Sequence, residues 1–188
     1  MAISLDATVG GASANTYVTL SDANSIVEGL IVDDDVQAWE AGSTSDDYRN
    51  RALYTAAQRI DRERFLGARV ADTQALQWPR SGVRKPDTYT NLYGLSFPNR
   101  LVADYYTDTE IPDRVKKAQV VLAVYLNNNR DALGLSGLEN FNAVAIGSIN
   151  VTPRFFGAVG ADQVPPLFQE YLNGIRISTP ANISVKRA

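Results

Sequence analysis

Apolar residues recur at helical spacing most strongly between Ile111 and Gly134. Val115, Ala118, Leu122, Tyr125, Leu126 and Leu133 share one face, and Val120 to Leu126 is apolar almost all round. The spacing predicts a long central helix. Pro112 suits its first turn, where a missing N–H costs nothing, and Asp113 suits the positive end of its dipole. Gly134 is the expected left-handed stop. A helix this apolar is covered on more than one side. Its second strip, Val120 and Val124, therefore meets either the chain's own shorter helices or a neighbouring copy.

Three shorter helices precede it. Thr19 or Ser21 can cap a helix whose apolar face is Ala23, Ile26, Val27 and Leu30. Asp33 to Asp35 open a second, VQAWEAG, with Gly42 as its end. Three adjacent aspartates also invite a metal site, but consecutive helical residues do not face one point. A third helix, capped within Ser43–Ser45, runs to about Leu66 and closes at Gly67. Leu53, Ala56, Ala57 and Ile60 line its apolar side, and Arg51, Gln58, Arg59 and Arg62 the other. Its arginines lie among acids, so a salt-bridged face is the simple reading and contact with an acidic neighbour the functional one.

The remaining pattern is weaker. Pro79 pushes Trp78 to an extended conformation, away from helix and into the core. The segment from Pro86 to Ile111 lacks periodicity, exceeds ordinary loop lengths and carries Tyr89, Tyr93, Tyr105 and Tyr106. Those tyrosines suit an interface, being large contact surfaces of low entropic cost. They could also stack on single-stranded bases. Within that loop, however, Arg100 alone faces Asp87, Asp104, Asp108 and Glu110, which disfavours nucleic acid. Ile149 and Val151 alternate with Ser148 and Asn150 as in a strand of a hairpin or an intermolecular sheet. Pro165-Pro166 open a last helix anchored by Leu167, Phe168, Tyr171 and Leu172 and ended by Gly174. Residues 1–15 and the acid-free tail after it read as extended ends.

Composition adds exclusions. Cysteine and histidine are absent, which removes disulfides, thiolate nucleophiles, Cys/His zinc sites and any His-dependent dyad or triad. P-loop, dinucleotide and EF-hand patterns are missing. No catalytic, cofactor or metal residues are expected. No apolar run approaches the roughly 20 residues of a membrane span, and the N-terminus lacks the basic region of a secretory signal. Net charge is −3, but unevenly placed. Residues 1–48 hold nine acids and no base, and the first base is Arg49. An acidic chain is a poor candidate for duplex DNA, where phosphate neutralisation dominates affinity.

The order of parts resembles a known family. The relevant pieces are "NTYVTLSDAN", "AWEAG", "ALYTAAQRIDRERFLG", "QALQWPRSGV", "IPDRVKKAQVVLAVYL", a "GSINV" strand and a Pro-led helix near the C-terminus. Gln77-Trp78-Pro79-Arg80 and Ile111-Pro112 are the most specific of them. Together they resemble the head–tail connector (adaptor or head-completion) proteins of tailed bacteriophages. The related sequence family is also labelled DnaT-like single-stranded-DNA-binding protein. The resemblance covers most of the chain and is weakest over 84–108 and after 175. It implies a compact helical subunit with extended arms, part of a ring, commonly dodecameric, beneath the portal protein in the virion neck. Such a ring meets tail or nozzle proteins below and passes genome DNA without sequence-specific contact. It is assembled in the host cytoplasm and involves no membrane, no cofactor and no catalytic residue.

The expected fold is mainly α: a small helical bundle with a long central helix, an extended loop with a short β element, and an extended C-terminal arm. Residues 1–175 form the domain, with an insertion at about 84–110, and 176–188 form the arm. The expected function is a structural adaptor, and the alternative is single-stranded-DNA binding. The residues expected to meet partners are Arg51, Arg59 and Arg62; Tyr89, Tyr93, Tyr105 and Tyr106; Val120 and Val124; and Arg176, Lys186 and Arg187.

Overall fold

The computed structural model describes residues 3–85, 105–129, 144–146, 149–151 and 164–177. Tyr89, Tyr93, Lys186 and Arg187 lie outside them. The fold is mainly helical: α1 (Leu20–Val27), α2 (Asp34–Glu40), α3 (Asp46–Ile60), α4 (Asp113–Asn128) and α5 (Pro166–Leu172). Two antiparallel pairs accompany them, β1 (Ala68–Arg69) with β2 (Arg80–Ser81), and β3 (Val144–Ile146) with β4 (Ile149–Val151). The second pair places Ile149 and Val151 in a strand that pairs within the chain.

Helix starts follow local chemistry. The Thr19 hydroxyl accepts from the Asp22 N–H, and the Asp33 carboxylate accepts from the Val36 N–H at 2.9 Å. Each satisfies a donor that has no intrahelical partner. α2 ends at Glu40, before Gly42. The Arg49 guanidinium supplies its C-terminal partner by donating to the Trp39 carbonyl at 2.7 and 2.9 Å.

α4 is the centre of the bundle and packs against α1, α2, α3 and α5. Val115, Ala118, Val120, Leu122 and Ala123 are fully buried on it, and Val124 nearly so. Val120 and Val124 are thus enclosed by the chain's own helices, and no second copy is needed to cover them. The helix ends at Asn128, short of Leu133 and Gly134. Asn128 and Asn129 turn their amides to the Asp35 carboxylate at 2.7 and 2.9 Å, and Asn129 also donates to the Tyr125 carbonyl. Side-chain bonding of this kind competes with helix continuation.

Gln119 is a fully buried polar residue of α4. Its carbonyl accepts from the Tyr17 N–H at 2.9 Å, and its amide donates to the Thr16 hydroxyl at 2.6 Å and the Leu53 carbonyl at 2.9 Å. One side chain thereby ties the N-terminal segment, α3 and α4. Gln119→Leu should lower unfolding free energy by about 2–3 kcal/mol, read from urea denaturation, because the Tyr17 N–H loses its partner in the interior.

Several expectations change. The N-terminal segment, expected as an extended end, is anchored to the body: Asp6 and Asn15 exchange hydrogen bonds, the Gly11 carbonyl accepts from the Ala75 N–H, and Ala14 is buried. α3 stops at Ile60, six residues before Leu66. Beyond it Phe65 turns into the core and bridges Arg176. Arg62 therefore lies outside the helix. Leu167 is exposed, while Phe168 and Leu172 carry α5 into the core. Ile175 is fully buried and its carbonyl accepts from the Leu66 N–H, so Arg176 belongs to the body and not to a free arm.

α2 fixes the polarity of the bundle. Its Ala38 carbonyl accepts from Asn127 near the end of α4, and its Trp39 carbonyl accepts from Arg49 near the start of α3. α3 and α4 are therefore antiparallel. The last turn of α3 and the first of α4 lie together at the opposite end, where Arg114 donates to the Asn173 carbonyl after α5.

Candidate nucleic-acid interface

That opposite end is built from short extended segments joined edge to edge. Residues 175–177 pair with 64–66 through the Phe65–Arg176 bridge, and the Ile177 N–H donates to the Arg64 carbonyl at 2.7 Å. The chain continues into β1, which pairs with β2. Beyond β2, Arg84 bridges Tyr105, and the Tyr106 N–H donates to the Val83 carbonyl at 3.0 Å. Gly67 sits between the first two links at φ +70°, where a Cβ would come within 2.2 Å of the Ser81 carbonyl oxygen.

The Gln77-Trp78-Pro79-Arg80 run holds this ladder from beneath. Trp78 is buried edge-on to Phe65 and Tyr106, with ring centroids 5.6 and 5.9 Å away. The buried Arg80 guanidinium donates to the carbonyls of Leu66 at 2.8 Å, Gly67 at 2.7 Å and Phe65 at 3.3 Å, and to the Gln77 side-chain oxygen at 2.9 Å. Burial pushes its pKa down, although the site is rich in acceptors. The guanidinium is consumed by architecture and is not presented to solvent.

Below Gln77 lies a Tyr17–Asp61 pair. The Tyr17 hydroxyl donates to the Asp61 Oδ1, and the Gln77 N–H donates to the Tyr17 hydroxyl oxygen and to the Asp61 Oδ1, each at 3.2 Å. Burial, then the Asp61 charge and hydrogen bond, raises the Tyr17 pKa well above 10.0. Burial also raises Asp61 above 3.8, against the Tyr17 hydroxyl, the Gln77 N–H and the Arg69 charge. For Tyr17 the folded chain keeps a proton that the unfolded chain releases near pH 10, so its contribution is full below that pH and lost above it. Unfolding free energy should therefore fall as pH rises from about 9 to 11, and Tyr17→Phe should flatten that fall relative to wild type. Urea midpoints across the range measure it, and parallel curves would exclude the account.

Charge follows the ladder. Segments 62–70, 80–85, 105–106 and 175–177 carry seven bases (Arg62, Arg64, Arg69, Arg80, Arg84, Lys85 and Arg176) and one acid, Glu63. Glu63 is shared by Arg59 and Arg176, each 3.7 Å away. Arg62, Arg64 and Arg69 are exposed, as are Leu66, Val70, Tyr105 and Ile177. Lys85 stands over the Tyr106 ring at 5.6 Å from its centroid. The fold thus sets Arg84 and Lys85 beside Tyr105 and Tyr106, across an insertion whose own sequence is acidic. Glu28, Asp33, Asp34, Glu40 and Asp46 crowd the other end of the bundle, around α2.

The expected partner-facing residues divide accordingly. Tyr105 is half exposed and Arg62 fully on the surface, both at the ladder. Tyr106 is partly buried against Trp78, and Arg59 is half-buried beside Glu63. Arg51 lies near the start of α3, paired with Asp47 at 2.8 Å, and does not join the ladder. Arg64, Arg69, Arg84 and Lys85 were missed as a group, since no local spacing joins residue 64 to 84 or 105.

Among the described residues no cluster of three or more His, Cys, Asp or Glu could hold a metal ion, and no helix is long and apolar enough to cross a membrane. Fold and face together define a small, mainly helical protein that presents a basic ladder with an exposed aromatic side chain. The chain belongs to the family described as "Putative DnaT-like ssDNA binding protein", whose profile matches residues 1–188. The match carries the DnaT-like half of the resemblance and does not bear on the phage-connector half. No curated protein and no solved structure matches the chain.

Proposed function

We propose that the chain binds single-stranded nucleic acid along the basic ladder, with Tyr105 as a stacking platform. The observation that carries this is the gathering of six bases and one neutralised acid beside an exposed tyrosine, with the seventh base, Arg80, buried beneath them. A positively charged track that follows the phosphates, combined with aromatic faces for bases, is how single strands are held without sequence readout. The family description supports the same reading. The chain's net negative charge sits mostly at the other end, so it does not oppose a strand at the ladder.

Fluorescence anisotropy of labelled oligo(dT) over a salt series tests it. The logarithm of the affinity should fall with that of the salt concentration, with a slope of roughly −0.7 per phosphate contacted. Arg62→Glu/Arg64→Glu should abolish binding, and Tyr105→Ala should weaken it by about 1–3 kcal/mol. Salt-independent binding, or binding unaffected by those changes, would sink the proposal.

One observation favours a second reading, the head–tail adaptor. Trp78, Arg80 and Ile111, from the most specific pieces of the phage-connector resemblance, all serve as buried architectural anchors. That suits a subunit whose work is assembly: a homo-oligomeric ring, dodecameric by analogy with the phage connectors, between portal and tail or nozzle proteins in the virion neck. Electron microscopy of the purified chain mixed with its portal decides this reading, and particles of bare portal alone would eliminate it.

A further inference from the structure

The turn between α1 and α2 has no role so far. Its tip carries Ile31 and Val32, 89% and 62% exposed, the two most exposed large apolar side chains of the described residues. Adjacent exposed aliphatic residues on a well-formed turn are costly in water and mark contact sites more often than scattered ones do. Glu28, Asp33 and Asp34 surround them, all exposed. The Asp33 side chain caps α2, whereas the side chains of Glu28 and Asp34 make no hydrogen bond or ion pair among the described residues.

The ladder has the complementary chemistry. It interleaves exposed apolar side chains (Leu66, Val70, Ile177) with exposed Arg62 and Arg64. The two surfaces lie at opposite ends of the antiparallel α3–α4 pair. α3 has 15 residues, so at about 1.5 Å per residue it separates them by about 22 Å. A chain cannot bring its own turn onto its own ladder, and such a contact joins two copies.

We infer that the Ile31–Val32 turn of one copy docks on the basic ladder of a second copy, in competition with single-stranded nucleic acid. The contact is heterologous, so a pair of copies keeps one free turn and one free ladder for further copies. The competition rests on the nucleic-acid proposal; the contact between copies does not.

Sedimentation velocity over a concentration and salt series tests it on the full chain. Self-association is expected to weaken as salt rises, and Ile31→Ser/Val32→Ser should weaken it roughly tenfold or more. That variant should bind oligo(dT) as wild type does, since it leaves the ladder intact. Asp34→Lys and Arg62→Glu/Arg64→Glu copies should each associate poorly alone, while a mixture should regain heterologous contact, since one variant keeps a native ladder and the other a native turn. Excess oligo(dT) should return wild type to monomers. A chain monomeric at all concentrations, or association untouched by the Ile31/Val32 change, overturns the contact. Association that survives saturating oligo(dT) overturns the competition. Association without any oligo(dT) binding removes the nucleic-acid proposal and leaves the contact standing.

Discussion

Arg80→Met should lower the unfolding free energy by about 3–5 kcal/mol, the largest effect expected of any polar residue here. The methionine can fill much of the volume left by the guanidinium but donates nothing. The carbonyls of Phe65, Leu66 and Gly67 then lose a charged donor in a buried setting. Each unsatisfied acceptor costs about 1–3 kcal/mol, partly recovered if water enters. Arg80→Lys should recover less than half the loss, because one ammonium cannot serve the fan of acceptors that a planar guanidinium reaches. Urea denaturation followed by circular dichroism measures both. The same variants should weaken oligo(dT) binding beyond what one lost surface charge explains, since Arg64 and Arg69 flank the carbonyls that Arg80 holds. A stable Arg80→Met chain would mean that the 65–67 segment is held by the bundle alone.

Trp78→Ala should cost a comparable amount, about 3–5 kcal/mol, for a different reason. Trp78 is almost fully buried, and its Nε1–H has no hydrogen-bond partner. Its removal therefore orphans no acceptor, and the loss is packing and cavity alone. The edge contacts to Phe65 and Tyr106 vanish together, one on each side of the ladder. Trp78→Phe keeps an aromatic edge and should cost less than half as much, measured again by urea denaturation. Tyr106 should gain exposure in the alanine variant, detectable as increased access of its ring to a solution quencher or modifier. Trp39, in contrast, gives its indole N–H to the Asn24 side chain at 3.0 Å at the far end of the bundle. Its fluorescence can report whether damage at Trp78 stays local.

The elements most legible in the sequence are those fixed by neighbours a few residues away. Thr19 and Asp33 announce helix starts because a cap bonds an N–H two or three residues on. Leu53, Ala56, Ala57 and Ile60 announce the buried face of α3 because they share one side at a period of 3.6. Trp78 announces itself because its proline excludes helix. Helix ends were less legible. α3 stops at Ile60 because Asp61 is engaged by Tyr17 and Gln77, while Phe65 is turned inward toward Trp78 and bridged to Arg176. Those partners lie 13 to more than 100 positions away, beyond any periodic pattern.

The candidate face was less legible still. Composition and periodicity establish that charge is split, that no His- or Cys-based chemistry is present, and that one long apolar helix lies near the centre. They could not say whether Val120 and Val124 face a core or a neighbour, because periodicity records that a strip is apolar and not what covers it. Only the tertiary structure enclosed that strip, turned Arg80 inward, and brought Arg84 and Lys85 against Tyr105 and Tyr106. The physical reason is common to all three. A basic face, a staple and a covered strip are properties of surfaces made by distant segments, and burial and charge density arise only when the chain has closed those distances.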